Sequence, residues 1–136
     1  MNFKLYWLGD TLTFASRLSI HGLKRIEDFF QEDKRLIFTG KVNRKEAETL
    51  IGDSNVFILP SRGEGCPMTL LEAMRGGCIP IISDSNHGSL DIIHDSNAGI
   101  ITKQDNSEDL YSAITDILTN HSKYYDYYFK TYKYSK

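Results

Sequence analysis

Short apolar runs alternate along the chain with longer segments in which apolar residues recur every three or four positions. The short runs predict β-strands and the longer segments predict helices. The predicted strands cover residues 3–8, 36–39, 55–59, 78–83 and 98–102. Because nearly every strand position is apolar, the pattern favours a parallel sheet covered by helices on both faces. The predicted fold is a Rossmann-like α/β domain of three layers.

The helical segments are predicted at residues 11–30, 43–51, 67–76, 88–94 and 107–119. Asn43 and Ser107 are placed to cap the second and the last of these, because their side-chain oxygens can accept hydrogen bonds from first-turn amides. Apolar residues at helical spacing give the last helix a predicted inward face made of Leu110, Ala113, Ile114, Ile117 and Leu118.

Composition narrows the class of protein. The 136 residues, 25% charged and 40% hydrophobic, are typical of one soluble globular domain. We expect that domain to cover residues 1–120, followed by a tyrosine-rich helical tail at residues 121–136. The net charge of −2 and the lack of a basic stripe before the tail argue against a nucleic-acid partner.

The cellular compartment is predicted from the same features. No run approaches the roughly 18 apolar residues that cross a bilayer. The first residues lack the pattern of a signal peptide, and two cysteines are too few for a disulfide framework. The chain is therefore expected in the cytoplasm, where it could be peripheral at the inner face of the membrane.

Residues 57–74 are the most informative stretch of the chain. An apolar strand stops at Pro60, a turn containing Gly63 and Gly65 follows, and Pro67 opens a helix. A strand, a glycine-rich turn and a helix N-terminus bind phosphate groups in open α/β sheets. Proline at the first helical position leaves the next amides without intrahelical acceptors, and these amides belong to Met68, Thr69 and Leu70.

Two carboxylates, Glu64 and Glu72, flank this helix start and lie eight positions apart. Carboxylates repel phosphate, so they are better suited to accept hydrogen bonds from sugar hydroxyls. Glu72 follows Pro67 by about 7.5 Å along the helix axis. The ribose of a diphosphate bound at the helix N-terminus would lie near that point.

Polar or glycine-rich loops follow three of the predicted strands, at residues 9–10, 40–42 and 61–66. Ligands of open α/β sheets bind beyond the carboxyl ends of the strands. We therefore expect these loops to line one crevice.

The central motif resembles the C-terminal, donor-binding domain of retaining two-domain (GT-B type) glycosyltransferases of family 4, also called group 1. The separation of the two glutamates is that family's signature, and the resemblance covers roughly residues 3–120. The matching positions are Pro60-Ser61, Glu64-Gly65, Pro67, Leu71-Glu72-Ala73-Met74, Gly77 and Pro80-Ile81-Ile82.

The resemblance assigns roles by position. Glu64 would contact hydroxyls of the donor sugar and is the one candidate for a catalytic role, while Glu72 would accept hydrogen bonds from the ribose. The residues placed at the donor are Glu64, Gly65, Cys66, Pro67, Met68, Thr69, Leu70 and Glu72. The residues placed near the nucleobase or the diphosphate are Gly9, Gly40, Lys41, Val42 and Arg62.

The chain also departs from the family's pattern. From the resemblance, we expect this chain to lack the family's first strand in this domain, with the Arg and the Lys that neutralise the diphosphate, and to lack the N-terminal acceptor domain. The expected partners are therefore a nucleotide-sugar donor and either that acceptor domain or a separate chain that replaces it. Neither a cofactor nor a metal is expected, because the sequence has no Asp-x-Asp motif and no histidine spacing typical of metal ligands.

The function implied by the resemblance is retaining transfer of a sugar from a nucleotide diphosphate, in the assembly of a polysaccharide, lipopolysaccharide or glycolipid. Two alternatives stay open. One is a non-catalytic nucleotide-sugar-binding subunit or an inactive fragment. The other is an isomerase resembling the nucleotide-sugar 2-epimerases, which share this architecture.

The tail carries one aromatic stripe at helical spacing, formed by Tyr125, Tyr128, Phe129 and Tyr132. The simplest interpretation is that the stripe packs back onto the domain. Docking on the missing N-terminal domain is a second interpretation, which the resemblance favours. Docking on a membrane surface is a third, assisted by the lysines of the tail.

Overall fold

The computed structural model describes residues 2–9, 32–63 and 68–136. The chain forms two compact units, Met1–Leu50 and Ile51–Lys136. Each unit contains a parallel β-sheet together with helix. The α/β class predicted from the alternating pattern is therefore confirmed. The helix predicted at residues 11–30 falls outside the described residues.

The first unit contains strands β1 (Leu5–Leu8) and β2 (Leu36–Gly40), which pair in parallel. Helix α1 (Arg44–Gly52) follows β2. Asn43 caps α1 as predicted, because its Oδ1 accepts a hydrogen bond from the amide of Glu46 at 2.9 Å. Glu46 Oε2 accepts in return from the amide of Asn43 at 2.9 Å. This reciprocal pair satisfies two amides at the helix start.

The second unit is built on three parallel strands in the order β3, β4, β5. They are β3 (Val56–Leu59), β4 (Ile79–Ser83) and β5 (Ile100–Thr102). Every residue of β4 is buried, as expected for a central strand that pairs on both sides. A helix follows each of these strands, and the three helices are α2 (Met68–Arg75), α3 (His87–Ser96) and α4 (Ser107–Thr119).

Successive side chains of a strand point to opposite faces, and this sheet is covered on both. One face packs against α2 and α3 in a cluster of Phe57, Leu59, Leu70, Met74, Ile82, Ile92 and Ile93. The other face packs against α4 in a cluster that includes Val56, Ile58, Ile79, Ile81 and Ile117. The second unit thus has the predicted three layers.

Gly99 marks the entry of the chain into β5. Its φ of +129° lies in a region that side chains rarely adopt. A Cβ at this position would lie 2.7 Å from Ile93 Cδ1 and 2.9 Å from Pro80 Cγ. Only glycine fits between α3 and β4 without displacing core side chains.

Two details of the predicted helices are wrong. Helix α3 is longer than predicted, because Asn86 caps it through an Oδ1 that accepts from the amide of Ser89 at 3.4 Å. The N-cap of α4 is Asn106 rather than Ser107. Asn106 has an extended backbone, and its Oδ1 accepts from the amide of Asp109 at 2.9 Å.

The tail forms a short 3₁₀ helix (His121–Tyr124) and then α5 (Tyr125–Tyr134). Helix α5 packs on its own unit and contacts α2, α3 and β4. A groove of about 360 Å³ separates its outer residues from residues 52–55 and 76–77, which precede β3 and β4. Helix α5 therefore lies at the amino ends of these strands.

The tail packs back onto the domain, as the simplest interpretation predicts, but only part of its aromatic stripe faces inward. Tyr125, Phe129 and Tyr132 are exposed, whereas the fully buried side chain of α5 is that of Thr131. Tyr127 and Tyr128, both half-buried, pack against the core cluster on the α4 side of the sheet. In the described ranges, no helix has both the length and the apolar character needed to cross a bilayer.

Candidate functional site

Hydrogen bonds join the three loops at the carboxyl ends of β3, β4 and β5. Ser83 Oγ, at the end of β4, donates to the carbonyl of Ser61 after β3 at 2.6 Å. The amide of Gln104, after β5, donates to Asp84 Oδ1 at 2.8 Å. Ser85 Oγ also donates to Gln104 Oε1. These bonds make a single polar edge, and this is the edge at which open α/β sheets bind ligands.

Arg62, which was predicted to lie near the diphosphate, belongs to the loop after β3 and therefore lies at this edge. Its Nη2 donates to Asp105 Oδ2 at 2.8 Å, and the two side chains are 77% and 61% exposed. The pKa of Asp105 lies below its ordinary value, because its carboxylate accepts from Gln104 Nε2 and from Arg62. An anion bound here would compete with Asp105 for the guanidinium.

Helices α2 and α3 both begin at this edge, because they follow β3 and β4. The first-turn amides of a helix have no acceptor within the helix, and its N-terminus carries partial positive charge. In the described part of the chain, α1, α4 and α5 have an acidic residue in the first turn, whereas α2 and α3 have none. Among the described residues, the first turns of α2 and α3 therefore carry no negative side chain, which suits an anionic ligand.

The predicted donor residues Met68, Thr69 and Leu70 form the first turn of α2. Met68 and Thr69 are exposed, whereas Leu70 is fully buried. Glu72 follows within the same helix and is half-buried. Ala73 is buried as well, three residues after Leu70, which is the spacing of a core face.

Four of the predicted site residues lie outside the described residues. They are Glu64, Gly65, Cys66 and Pro67. Their roles stay predictions from the motif.

Two buried polar residues at this edge were not found from the sequence. Asn86 and Ser89, at the start of α3, are both 0% exposed. Within the described residues, Asn86 Nδ2 and Ser89 Oγ have no hydrogen-bond partner. Buried polar groups are nearly always satisfied by protein, water or ligand, so these two atoms are unusual among the described residues. The available signal was an asparagine three positions before a serine at a helix start.

The first unit brings together the remaining candidates, Gly9, Gly40, Lys41 and Val42. The amide of Gly9 donates to the carbonyl of Gly40 at 3.0 Å, so the ends of β1 and β2 meet. The φ angles of +111° and +66° explain why both positions are glycine. Lys41 is exposed and Val42 is half-buried directly after this turn.

The described residues contain no group of three His, Cys, Asp or Glu side chains arranged to hold a metal ion. Cys78 has a structural role. Its Sγ donates to the carbonyls of Ile51 and Ser54 at 3.2 and 3.1 Å, and burial raises its pKa to about 11. A thiol with that pKa stays protonated near neutral pH and is a poor nucleophile.

Comparison with known proteins identifies the family. The sequence profile described as "Glycosyl transferases group 1" matches residues 22–134. The chain belongs to this family. A glycogen synthase of Desulforudis audaxviator (strain MP104C) is 31% identical to this group 1 glycosyltransferase chain in an alignment of 109 positions that covers 71% of the chain and 21% of that protein.

Solved structures give the same fold. Anabaena HepE in complex with UDP and glucose superposes with a TM-score of 0.76 at 14% identity, over 97% of this chain and 35% of that one. The C-terminal domain of a group 1 family protein from Francisella tularensis superposes with a TM-score of 0.70 at 21% identity, over 90% of this chain and 60% of that one. The predicted Rossmann-like fold of a GT-B half is therefore confirmed, and the group 1 chain spans only part of each of these proteins.

Proposed function

We propose that this group 1 glycosyltransferase chain binds the nucleotide-diphosphate sugar in a retaining transfer reaction of the family 4 type. The observation that carries the proposal is the N-terminus of α2. It opens at the carboxyl edge of the sheet with no acid in its first turn, and the half-buried Glu72 follows four residues after its first residue. The helix N-terminus with no acid in its first turn suits a diphosphate. The carboxylate of Glu72 suits the hydroxyls of the ribose beside that diphosphate.

The chemical role of this site is to hold the leaving group. Breaking the bond between sugar and diphosphate leaves negative charge on the phosphate oxygens. The first-turn amides of α2 would stabilise that charge, since they are fixed before the reaction begins. The guanidinium of Arg62 would add to this by leaving Asp105 for a phosphate oxygen. Glu72 would fix the ribose and Glu64 the donor sugar, so that the anomeric carbon is held in position for the acceptor.

The acceptor side is proposed to come from elsewhere. The chain spans 21% of the matched glycogen synthase and 35% of HepE. We therefore assign acceptor binding to an N-terminal domain or to a separate partner chain. The setting we propose is polysaccharide, lipopolysaccharide or glycolipid assembly on the cytoplasmic side of a membrane. The similarity to WaaG, a glycosyltransferase involved in lipopolysaccharide biosynthesis, is consistent with that setting.

Calorimetric titration of the chain with UDP, GDP and ADP tests the proposal. We expect one diphosphate to bind, and Glu72→Ala to weaken it at least tenfold, which is about 1.4 kcal/mol. Glu108→Ala is the matched control, because Glu108 lies in the first turn of α4 and not of α2. If no diphosphate binds at millimolar concentration, or if the two variants behave alike, the proposed donor site is wrong.

A further inference from the structure

Ser83 is the one polar residue of the central strand β4, whose other residues are isoleucine and proline. It is 2% exposed. A buried hydroxyl costs free energy unless it forms a hydrogen bond. The Oγ of Ser83 donates to the carbonyl of Ser61 at 2.6 Å. The buried hydroxyl therefore joins the central strand to the loop that follows β3.

The two ends of this bond differ in packing. Strand β4 pairs with a neighbour on each side, and all of its residues are buried. In the loop after β3, Ser61 is half-buried, and Arg62 and Gly63 are exposed. Exposed segments with few buried contacts open more readily than the strands of a core. The bond from Ser83 thus ties a loop with little packing of its own to a fully buried strand.

A second tether reaches the same loop through the side chain of Arg62. Its Nη2 donates to Asp105 Oδ2 at 2.8 Å, and Gln104 Nε2 donates to Asp105 Oδ1 at 2.9 Å. Because a carboxylate only accepts hydrogen bonds, the amide nitrogen of Gln104 faces Asp105, and its Oε1 faces the hydroxyl of Ser85. The loop after β5 therefore holds the side chain of Arg62, whereas Ser83 holds the backbone one residue before it.

The two tethers respond differently to an anion. A phosphate oxygen that binds the guanidinium of Arg62 displaces Asp105, at little cost because both side chains are exposed. The bond between Ser83 and the Ser61 carbonyl involves neither of those side chains, so it does not have to break. We propose that Ser83 is a positioning residue that holds the backbone before Arg62 while the guanidinium moves from Asp105 to a diphosphate. This inference rests on the proposed function.

The expected effect of Ser83 on binding follows from the ordering of the loop. A segment that is fixed before the ligand arrives loses little conformational freedom when the ligand binds. Without the hydroxyl of Ser83, the loop has more arrangements, and binding has to order it. The cost appears as a weaker affinity for the diphosphate, although the buried Ser83 is placed behind the loop.

Calorimetric titration with the nucleoside diphosphate that the wild type binds best tests the proposal. Ser83→Ala should weaken binding by about fivefold, because the loop is no longer ordered in advance. Ser83→Thr keeps the hydroxyl and should retain most of the affinity. Circular dichroism of each variant checks that the fold is kept.

Thr102→Val is the matched control. Thr102 is 4% exposed at the end of β5, and its Oγ1 donates to the carbonyl of Ile82 at 3.2 Å, within the sheet. Thr102→Val and Ser83→Ala each remove one buried hydroxyl with its hydrogen bond, but only Ser83 is bonded to the loop after β3. We expect Thr102→Val to change the affinity by less than about twofold.

A double-mutant cycle with Arg62→Gln separates positioning from a general loss of stability. If Ser83 acts through Arg62, Ser83→Ala should change the affinity of the Arg62→Gln variant by less than about twofold. An effect of full size in that background would overturn the proposal. Equal affinities of Ser83→Ala and Thr102→Val would overturn it as well.

The same titrations distinguish failure of this inference from failure of the proposed function. A wild type that binds no diphosphate overturns the proposed function and the role of Ser83 together. A wild type that binds, with unchanged affinity in Ser83→Ala, overturns the role of Ser83 alone.

Discussion

Arg62 and Asp105 form an ion pair that joins the loop after β3 to the loop after β5, with Nη2 and Oδ2 2.8 Å apart. Both side chains are exposed, and exposed pairs contribute only about 0–1 kcal/mol to stability. The guanidinium can therefore leave Asp105 for a phosphate group at little cost. The pair holds a cation ready at the edge where α2 begins.

The first prediction concerns this pair. Asp105→Asn should strengthen binding of the preferred nucleoside diphosphate a few-fold, because it removes a carboxylate that competes for Arg62. Asparagine tolerates the left-handed backbone of this position, where φ is +54°. Arg62→Gln should weaken binding by about tenfold in the same calorimetric assay. Unchanged affinity in both variants would mean that Arg62 does not face the ligand.

The second prediction uses two serines of α3. Ser89→Ala should leave the free energy of unfolding unchanged or raise it, because the buried hydroxyl of Ser89 has no partner within the described residues. Ser96→Ala should lower it by about 1 kcal/mol. Ser96 Oγ donates to the carbonyls of Ile93 and Ala98 and accepts from the amide of Ala98. Urea unfolding measures the free energy of unfolding of both variants. A loss of more than about 1 kcal/mol for Ser89→Ala would contradict the prediction and show that this hydroxyl has a hydrogen-bond partner.

The third prediction concerns Gly99. Gly99→Ala should destabilise the second unit by at least about 2 kcal/mol, because the backbone is strained for alanine and the Cβ overlaps Ile93 and Pro80. Gly52→Ala is the matched control, since a Cβ there meets no atom within 4 Å. It should be neutral or stabilising by up to about 1 kcal/mol. Thermal unfolding measures the stability of the two variants. Equal melting temperatures would contradict the close packing of Gly99 against Ile93 and Pro80.

The fourth prediction is a pH dependence at the base of the tail. The pKa of Asp116 is lowered to about 2, first by Lys123 and then by Tyr124 and Asn120. A carboxyl whose pKa is lower in the folded state stabilises the fold above its unfolded pKa of 3.8 and loses that effect as the pH falls towards 2. Wild type should therefore be more stable than Asp116→Asn at pH 6. The difference should shrink between pH 4 and pH 2 in urea titrations, and a constant difference would contradict the assigned contacts.

Local features of the fold were predictable from the sequence. The apolar runs of β4 and of the strand that ends before Pro60 are typical of buried strands. Asn43 was predictable as a cap because Glu46 follows it by three residues. Asn106 was missed because Asn106 and Ser107 are both good caps, and only the extended backbone of Asn106 separates them.

Features that depend on distant contacts were not predictable. The tail has aromatic residues on nearly every side of α5, so its pattern could not show that Tyr127 and Tyr128 pack inward while Tyr125 stays outside. Strand partners are also set by distant contacts, and the strands of the described residues form two sheets rather than one. The ion pair of Arg62 joins residues 43 positions apart, and no spacing rule reports such a contact.

The central position of β4 has a consequence for how ligand binding can be detected. Its neighbours pair with it on both sides and every residue is buried, so amides such as that of Ile82 exchange with solvent only when the whole unit opens. Their exchange rate therefore reports the global opening equilibrium of the second unit. A nucleotide that binds only the folded state would slow that rate by a factor set by its concentration relative to Kd. Slower deuterium uptake by the amides of β4 would therefore report that nucleotide is bound at the loops that follow the strands.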